Sequence, residues 1–127
     1  MVLVLAACGS EPRPLRAATL HVRQEWAGGG LYVEGSYSYV RVQQSKRSIV
    51  QVRLTGEKVP RGTIRLEPGS YRLVSFQRPC EGNCGMLDPA TDQCSRIIEV
   101  ESSAEIRTVV RLSPGEGCQI EREFRID

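Results

Sequence analysis

The residues of this chain able to do chemistry are its cysteines, one histidine and a short acidic loop. Cys80, Cys84 and Cys94 fall within C-E-G-N-C-G-M-L-D-P-A-T-D-Q-C, and Cys118 follows after a further run of strand-like sequence. Four thiolates could hold tetrahedral zinc, but such sites usually pair two C-x2-C knuckles. Here the first spacing is C-x3-C, and no second knuckle follows. Disulfides are the better reading, and four cysteines allow three pairings. The alternation of strand directions brings Cys80, Cys94 and Cys118 to one end of the fold. The favoured pairing is Cys84–Cys94, closing the loop on itself, with Cys80–Cys118 tying it to the last strand. The runner-up is Cys80–Cys94 with Cys84–Cys118.

The same loop offers oxygen ligands in Glu81, Asn83, Asp88 and Asp92. Calcium takes six to eight oxygens from such loops, which admits a calcium-dependent adhesion module as an alternative. Turn formation accounts for the same residues, because Asp and Asn side chains cap nearby backbone groups. No metal site is therefore expected. His21 is the sole histidine, so a triad has one possible centre, and it falls on the polar side of an alternating strand. Glu34 or the acidic loop could serve an envelope hydrolase, but local spacing puts no second carboxylate beside Glu34. Gly28-Gly29-Gly30 lacks the Lys and Ser/Thr of a phosphate-cradling loop. No cofactor and no catalytic residue are expected. Trp26, Tyr32, Tyr37 and Tyr39 cluster in sequence; together on a surface they would make an aromatic binding face, although cross-strand pairing explains them more simply.

Those residues need a scaffold, and the N-terminus indicates where it operates. Residues 1–7 are apolar, Cys8 follows, and Gly9-Ser-Glu-Pro-Arg-Pro14 is polar. Leu5-Ala6-Ala7-Cys8 resembles the bacterial lipobox, in which the cysteine is lipidated. The apolar stretch is short and lacks a basic flank, so the expected start lies upstream. It is far too short to span a bilayer. Residues 1–7 are accordingly read as a partial lipoprotein signal segment, 8–17 as a tether and 18–127 as one domain, on the outer face of a membrane in the cell envelope. An oxidising location suits disulfides. Seventeen basic residues (fifteen of them Arg) against fifteen acidic ones give +2 over 127 residues. The charges are interspersed along the chain, and no concentrated basic stripe marks a nucleic-acid binder.

Period-two alternation dominates the rest. It covers 19–26, 36–43, 49–54, 105–112 and 118–126; 63–66 and 70–78 read as further strands, the second rich in Tyr, Leu, Val and Phe, and 95–101 pairs with 105–112 as a hairpin across Ser102-Ser103-Ala104. Pro68-Gly69 suits a type II turn. No window shows a clean helical period. Seven to eight short, antiparallel strands separated by Gly/Pro turns predict an all-β sandwich.

Leu66-Glu67-Pro68-Gly69-Ser70-Tyr71-Arg72-Leu73 resembles the L-x-P-G-x-Y-x-L signature of prealbumin-like (transthyretin-like, carboxypeptidase regulatory-like) sandwiches. That resemblance implies an Ig-like/prealbumin-like fold in which Tyr71 packs in the core. The stretch Arg78–Cys94 is similar to a cysteine loop in lipoproteins of high-GC bacteria, chiefly actinobacteria. No activity is assigned to them that could be carried over. The expected role is non-catalytic, binding or structural, with the membrane engaged through lipid and an envelope protein or polysaccharide as partner.

Overall fold

The computed structural model describes residues 16–26, 36–56, 59–79, 89–113 and 115–123. These residues form eight strands: β1 (Ala18–Trp26), β2 (Ser36–Gln44), β3 (Arg47–Leu54), β4 (Arg61–Leu66), β5 (Gly69–Pro79), β6 (Thr91–Val100), β7 (Glu105–Ser113) and β8 (Gly117–Glu123). They form two four-stranded sheets, β4-β1-β7-β8 and β3-β2-β5-β6. The molecule is an all-β sandwich, as the alternating pattern predicts. One pair departs from the antiparallel expectation: β1 and β7 run parallel.

The core lies between the sheets and follows strand parity. Leu20 and Val22 of β1, Val40 and Val42 of β2, Tyr71 and Leu73 of β5, Ile98 and Val100 of β6, and Ile106 and Val110 of β7 are buried together. Burying such a side chain contributes on the order of 1.5–3 kcal/mol, so this register is strongly held. Tyr71 is a core residue of a central strand, as the resemblance implies, and its hydroxyl donates to Glu67 O at 2.6 Å. Burial is the main cause raising its phenol pKa, with Glu67 a lesser one. Gly69 opens β5 with φ 158° and is close to extended, so it is not the third residue of a type II turn. Ser45 and Lys46 carry positive φ, 51° and 68°, at the β2–β3 reversal. Tight hairpins need this geometry to match strand twist.

The predicted 95–101/105–112 hairpin does not form. β6 belongs to one sheet and β7 to the other, so residues 101–104 carry the chain across the core. β6 instead pairs with β5 and β7 with β8, both antiparallel. Alternation in both strands reports only that each has one buried face. It does not say whether that face belongs to the same sheet.

The two sides of the sandwich are closed by different means. On one side Thr55 and Arg61 exchange backbone hydrogen bonds of 2.9 and 2.8 Å between the ends of β3 and β4. On the other a disulfide joins Cys94 of β6 to Cys118 of β8, with Cα atoms 5.4 Å apart. Both proposed pairings are thereby corrected: Cys94 pairs neither with Cys84 nor with Cys80, and Cys118 with neither of them. The reason is that β6 begins at Thr91, so Cys94 is a strand residue with inward parity, facing the edge strand of the opposite sheet. Cys80 and Cys84 lie outside the described residues. Arg96 Nη1 donates to Ile120 O at 3.1 Å, and Gly117 N donates to Asp92 Oδ1 at 3.0 Å, along the same seam.

Loss of the bridge should lower stability substantially. At a sequence separation of 24, restriction of the unfolded chain corresponds to about 3.5 kcal/mol. Cys94→Ala with Cys118→Ala should therefore melt well below the parent under non-reducing conditions. Trypsin followed by an Asp-specific protease separates Cys94 from Cys80 and Cys84; non-reduced mass spectrometry should then recover the Cys94 peptide joined to that of Cys118. A Cys94 peptide joined to Cys80 or Cys84 would contradict the fold.

Candidate functional site

Strand direction sorts the connections to two poles. β1 starts at Ala18 beside Glu105 of β7 and ends at Trp26 beside Leu112. The segment leading into β1 is tied to the crossing at 101–104: Ser103 N donates to Arg16 O at 3.0 Å, and Thr19 N to Ala104 O at 2.9 Å. The β2–β3 and β4–β5 reversals lie at this same pole. The opposite pole carries the ends of β1 and β5, the starts of β2 and β6, and the β7–β8 reversal. Nine residues in β1 at ~3.3 Å each separate the poles by about 25–30 Å.

Several sequence-derived candidates fall outside the described residues: Cys8, Glu34, Tyr32, Cys80, Glu81, Asn83, Cys84 and Asp88. Asp92 is described, and its carboxylate accepts the Gly117 N–H across the β6–β8 seam, a long-range contact and not the local turn cap expected of it. Among the described residues no three His, Cys, Asp or Glu side chains are grouped to hold a metal.

Beneath the loop pole the interior turns polar. Ser38 Oγ donates to Gln77 Oε1 at 2.7 Å, and Gln77 Nε2 donates to Gln24 Oε1 at 3.1 Å, a chain crossing from one sheet to the other. All three are buried. Gln24 stands at an inward position of β1 that reads as a gap in its apolar alternation, and sequence reasoning missed it. Gln77→Ala should strand the Ser38 and Gln24 groups and cost about 2–4 kcal/mol by denaturant titration. Gln24→Leu, Ser38→Ala and Gln77→Leu together should cost less than Gln77→Ala alone, since no donor or acceptor is then left unpaired.

The two outer faces differ in electrostatics. On the β4-β1-β7-β8 face Arg23 bonds both Glu25 and Glu123, and Arg111 bonds Glu25 at 3.0 Å and Glu121 at 2.7 Å. This network lies over Val109, which faces outward between Arg23 and Glu121 yet is only 1% exposed. His21 is half-buried on this face with Nε2 3.7 Å from Glu105 Oε2. The Arg23 hydrogen bond is the chief cause holding the Glu25 carboxyl below its ordinary 4.5; Arg23 and Arg111 charges act the same way. A lowered carboxyl pKa contributes stability above the unfolded value that is lost as pH falls through the folded one. The melting temperature should thus fall as pH drops below about 4.5, and Glu25→Gln should show a smaller drop over that range.

The β3-β2-β5-β6 face holds the aromatics. Tyr39 stacks on Phe76 with centroids 5.4 Å apart. The Arg41 guanidinium lies 4.9 Å over the Phe76 ring, and that of Arg53 lies 4.6 Å over the Tyr37 ring. Phe76 and Val74 point outward, yet they are 3% and 5% exposed. Tyr37 and Tyr39 therefore serve as cross-strand partners and as platforms for arginines. Trp26 belongs to the other sheet. Among the described residues the two exposed large apolar side chains, Ile49 and Ile97, also sit on this face.

No protein-family profile matches the chain, and no curated protein matches it. Among solved structures it is similar to a protein from Bacteroides ovatus described as a putative cell adhesion protein, with TM-score 0.55 and 10% identity over 86% of this chain. The chain spans 44% of that protein's length. At this identity the likeness shows the sandwich fold.

Proposed function

We propose that this chain is a non-catalytic binding module of the bacterial cell envelope, tethered to the outer face of a membrane by lipid on Cys8. The observation carrying this reading is the separation of poles. Residues 16–17 enter β1 at the pole of the β2–β3 and β4–β5 reversals, whereas β1 and β5 end, and β2 and β6 begin, at the other. A lipid on Cys8 would thus place the cysteine-containing loop away from the membrane, where binding loops on a rigid sandwich usually act. The Cys94–Cys118 bridge supports an exported, oxidising location. The adhesion-type neighbour shares the fold and is in keeping with a surface role.

Expression in a bacterial host behind a lipoprotein signal peptide should give a membrane-fraction protein whose N-terminal peptide begins at Cys8 and carries acyl mass. Two or more chains are needed for stable anchoring. Cys8→Ser should shift the protein to the soluble fraction without changing its melting temperature. An unmodified Cys8 in a membrane-bound protein would refute the anchor.

A further inference from the structure

We infer that the outer face of β3-β2-β5-β6 is a binding site for an acidic, carboxylate-bearing polysaccharide, read by a diagonal file of Arg53, Arg41 and Arg72. The register defines the file. Arg53 of β3 lies opposite Tyr39 of β2; Arg41 is two residues further along β2 and lies opposite Val74 of β5; Arg72 is two residues further along β5. Each step therefore crosses one strand and advances two residues, a spacing of about 8 Å. The side chains keep that spacing because each leans one row toward the loop pole: Arg53 onto Tyr37, Arg41 onto Phe76, and Arg72 Nη1 to Ser95 Oγ at 3.3 Å.

The partners of all three arginines are neutral. Arg41 Nε also donates to the Gln51 amide oxygen at 3.0 Å. Among the described residues the carboxylate of this face is Glu99, beyond the end of the file, where it accepts from Ser70 Oγ at 2.9 Å. The other outer face holds its arginines in carboxylate pairs. Aromatic and amide supports restrict the guanidinium positions and leave their outer N–H edges for an anion, the arrangement in which arginine binds carboxylates bidentately. A pocket of about 280 Å³ adjoins Arg72 and is also lined by Gln43, Lys46, Ser70 and Ile97.

The ligand class follows from the neighbours. A file of three arginines suits an extended polymer rather than the breadth of a lipid surface; Arg78 stands off the file on the same face. The groups between and beside the arginines are Gln43, Gln51, Ser95 and Tyr39, which exchange hydrogen bonds with sugar hydroxyls. This assignment deepens the binding-module reading and rests on it, whereas the anchor is read independently at Cys8.

The test uses the full chain and polyuronate oligomers by calorimetry at low and physiological ionic strength. Binding should weaken with salt. Each of Arg41→Gln, Arg53→Gln and Arg72→Gln should lower affinity about three- to fivefold, and the triple variant roughly 30- to 100-fold. Arg61→Gln with Arg65→Gln, on the other sheet, should leave it unchanged, and melting curves should confirm that all variants fold. Absence of polyuronate binding, or equal loss in the Arg61/Arg65 control, overturns the site. Stronger, file-dependent binding to phosphatidylglycerol vesicles or to single-stranded DNA overturns the polysaccharide assignment. Binding of a neutral glycan untouched by the triple variant overturns the file while leaving the module reading intact.

Discussion

A four-stranded sheet has two edges, and each edge leaves a row of backbone N–H and C=O groups without a ladder partner. Two such sheets stacked on an apolar core present four edges in all, and this fold depends on managing them in pairs. β3 and β4 are drawn together by the mutual Thr55–Arg61 hydrogen bonds, so one side is closed by the backbone itself. β6 and β8 are drawn together by the Cys94–Cys118 bridge, with Arg96 and Asp92 supplying polar contacts across the seam. The cysteines thus act as a clasp between sheets, and the bridge belongs to the strands rather than to the loop.

That closure also explains how the two outer faces can differ so much. With the sheets held in fixed register, each face shows whatever its outward positions carry. One face joins arginines to glutamates over Val109. The other sets arginines on Tyr37 and Phe76 and, among the described residues, leaves the file of arginines without carboxylate partners. Exposed ion pairs contribute little each, typically below about 1 kcal/mol, although a network does better. The first face is accordingly an economical cover for the core. The second has its charge held in place but not neutralised, which is the arrangement expected of a surface kept ready for an anionic partner.

Strand positions and inward residues were largely legible. Period-two alternation identified the inward residues of β2, β3 and β7 because burial of one face imposes that period. Gln24 was not legible, since a polar residue at an inward position looks like a break in the pattern and is revealed only by Ser38 and Gln77 beside it. Phe76 was not legible as an outer-face residue either. β5 is buried on both faces, and its run Leu73-Val74-Ser75-Phe76 carries no visible alternation.

Taken alone, the amino-acid sequence determined that this is an all-β chain with a core set by alternation, and it carries a lipobox-like Leu5-Ala6-Ala7-Cys8 ahead of a polar, Pro-containing stretch and four further cysteines. These are local properties, written in spacing and residue type. Tertiary structure decided which strands share a sheet, that β1 and β7 run parallel, and that Cys94 meets Cys118. It also decided that Arg53, Arg41 and Arg72, scattered along the sequence, form one line. Pairing partners and cross-strand neighbours are fixed by which faces bury each other, a relation between distant residues that no local period encodes.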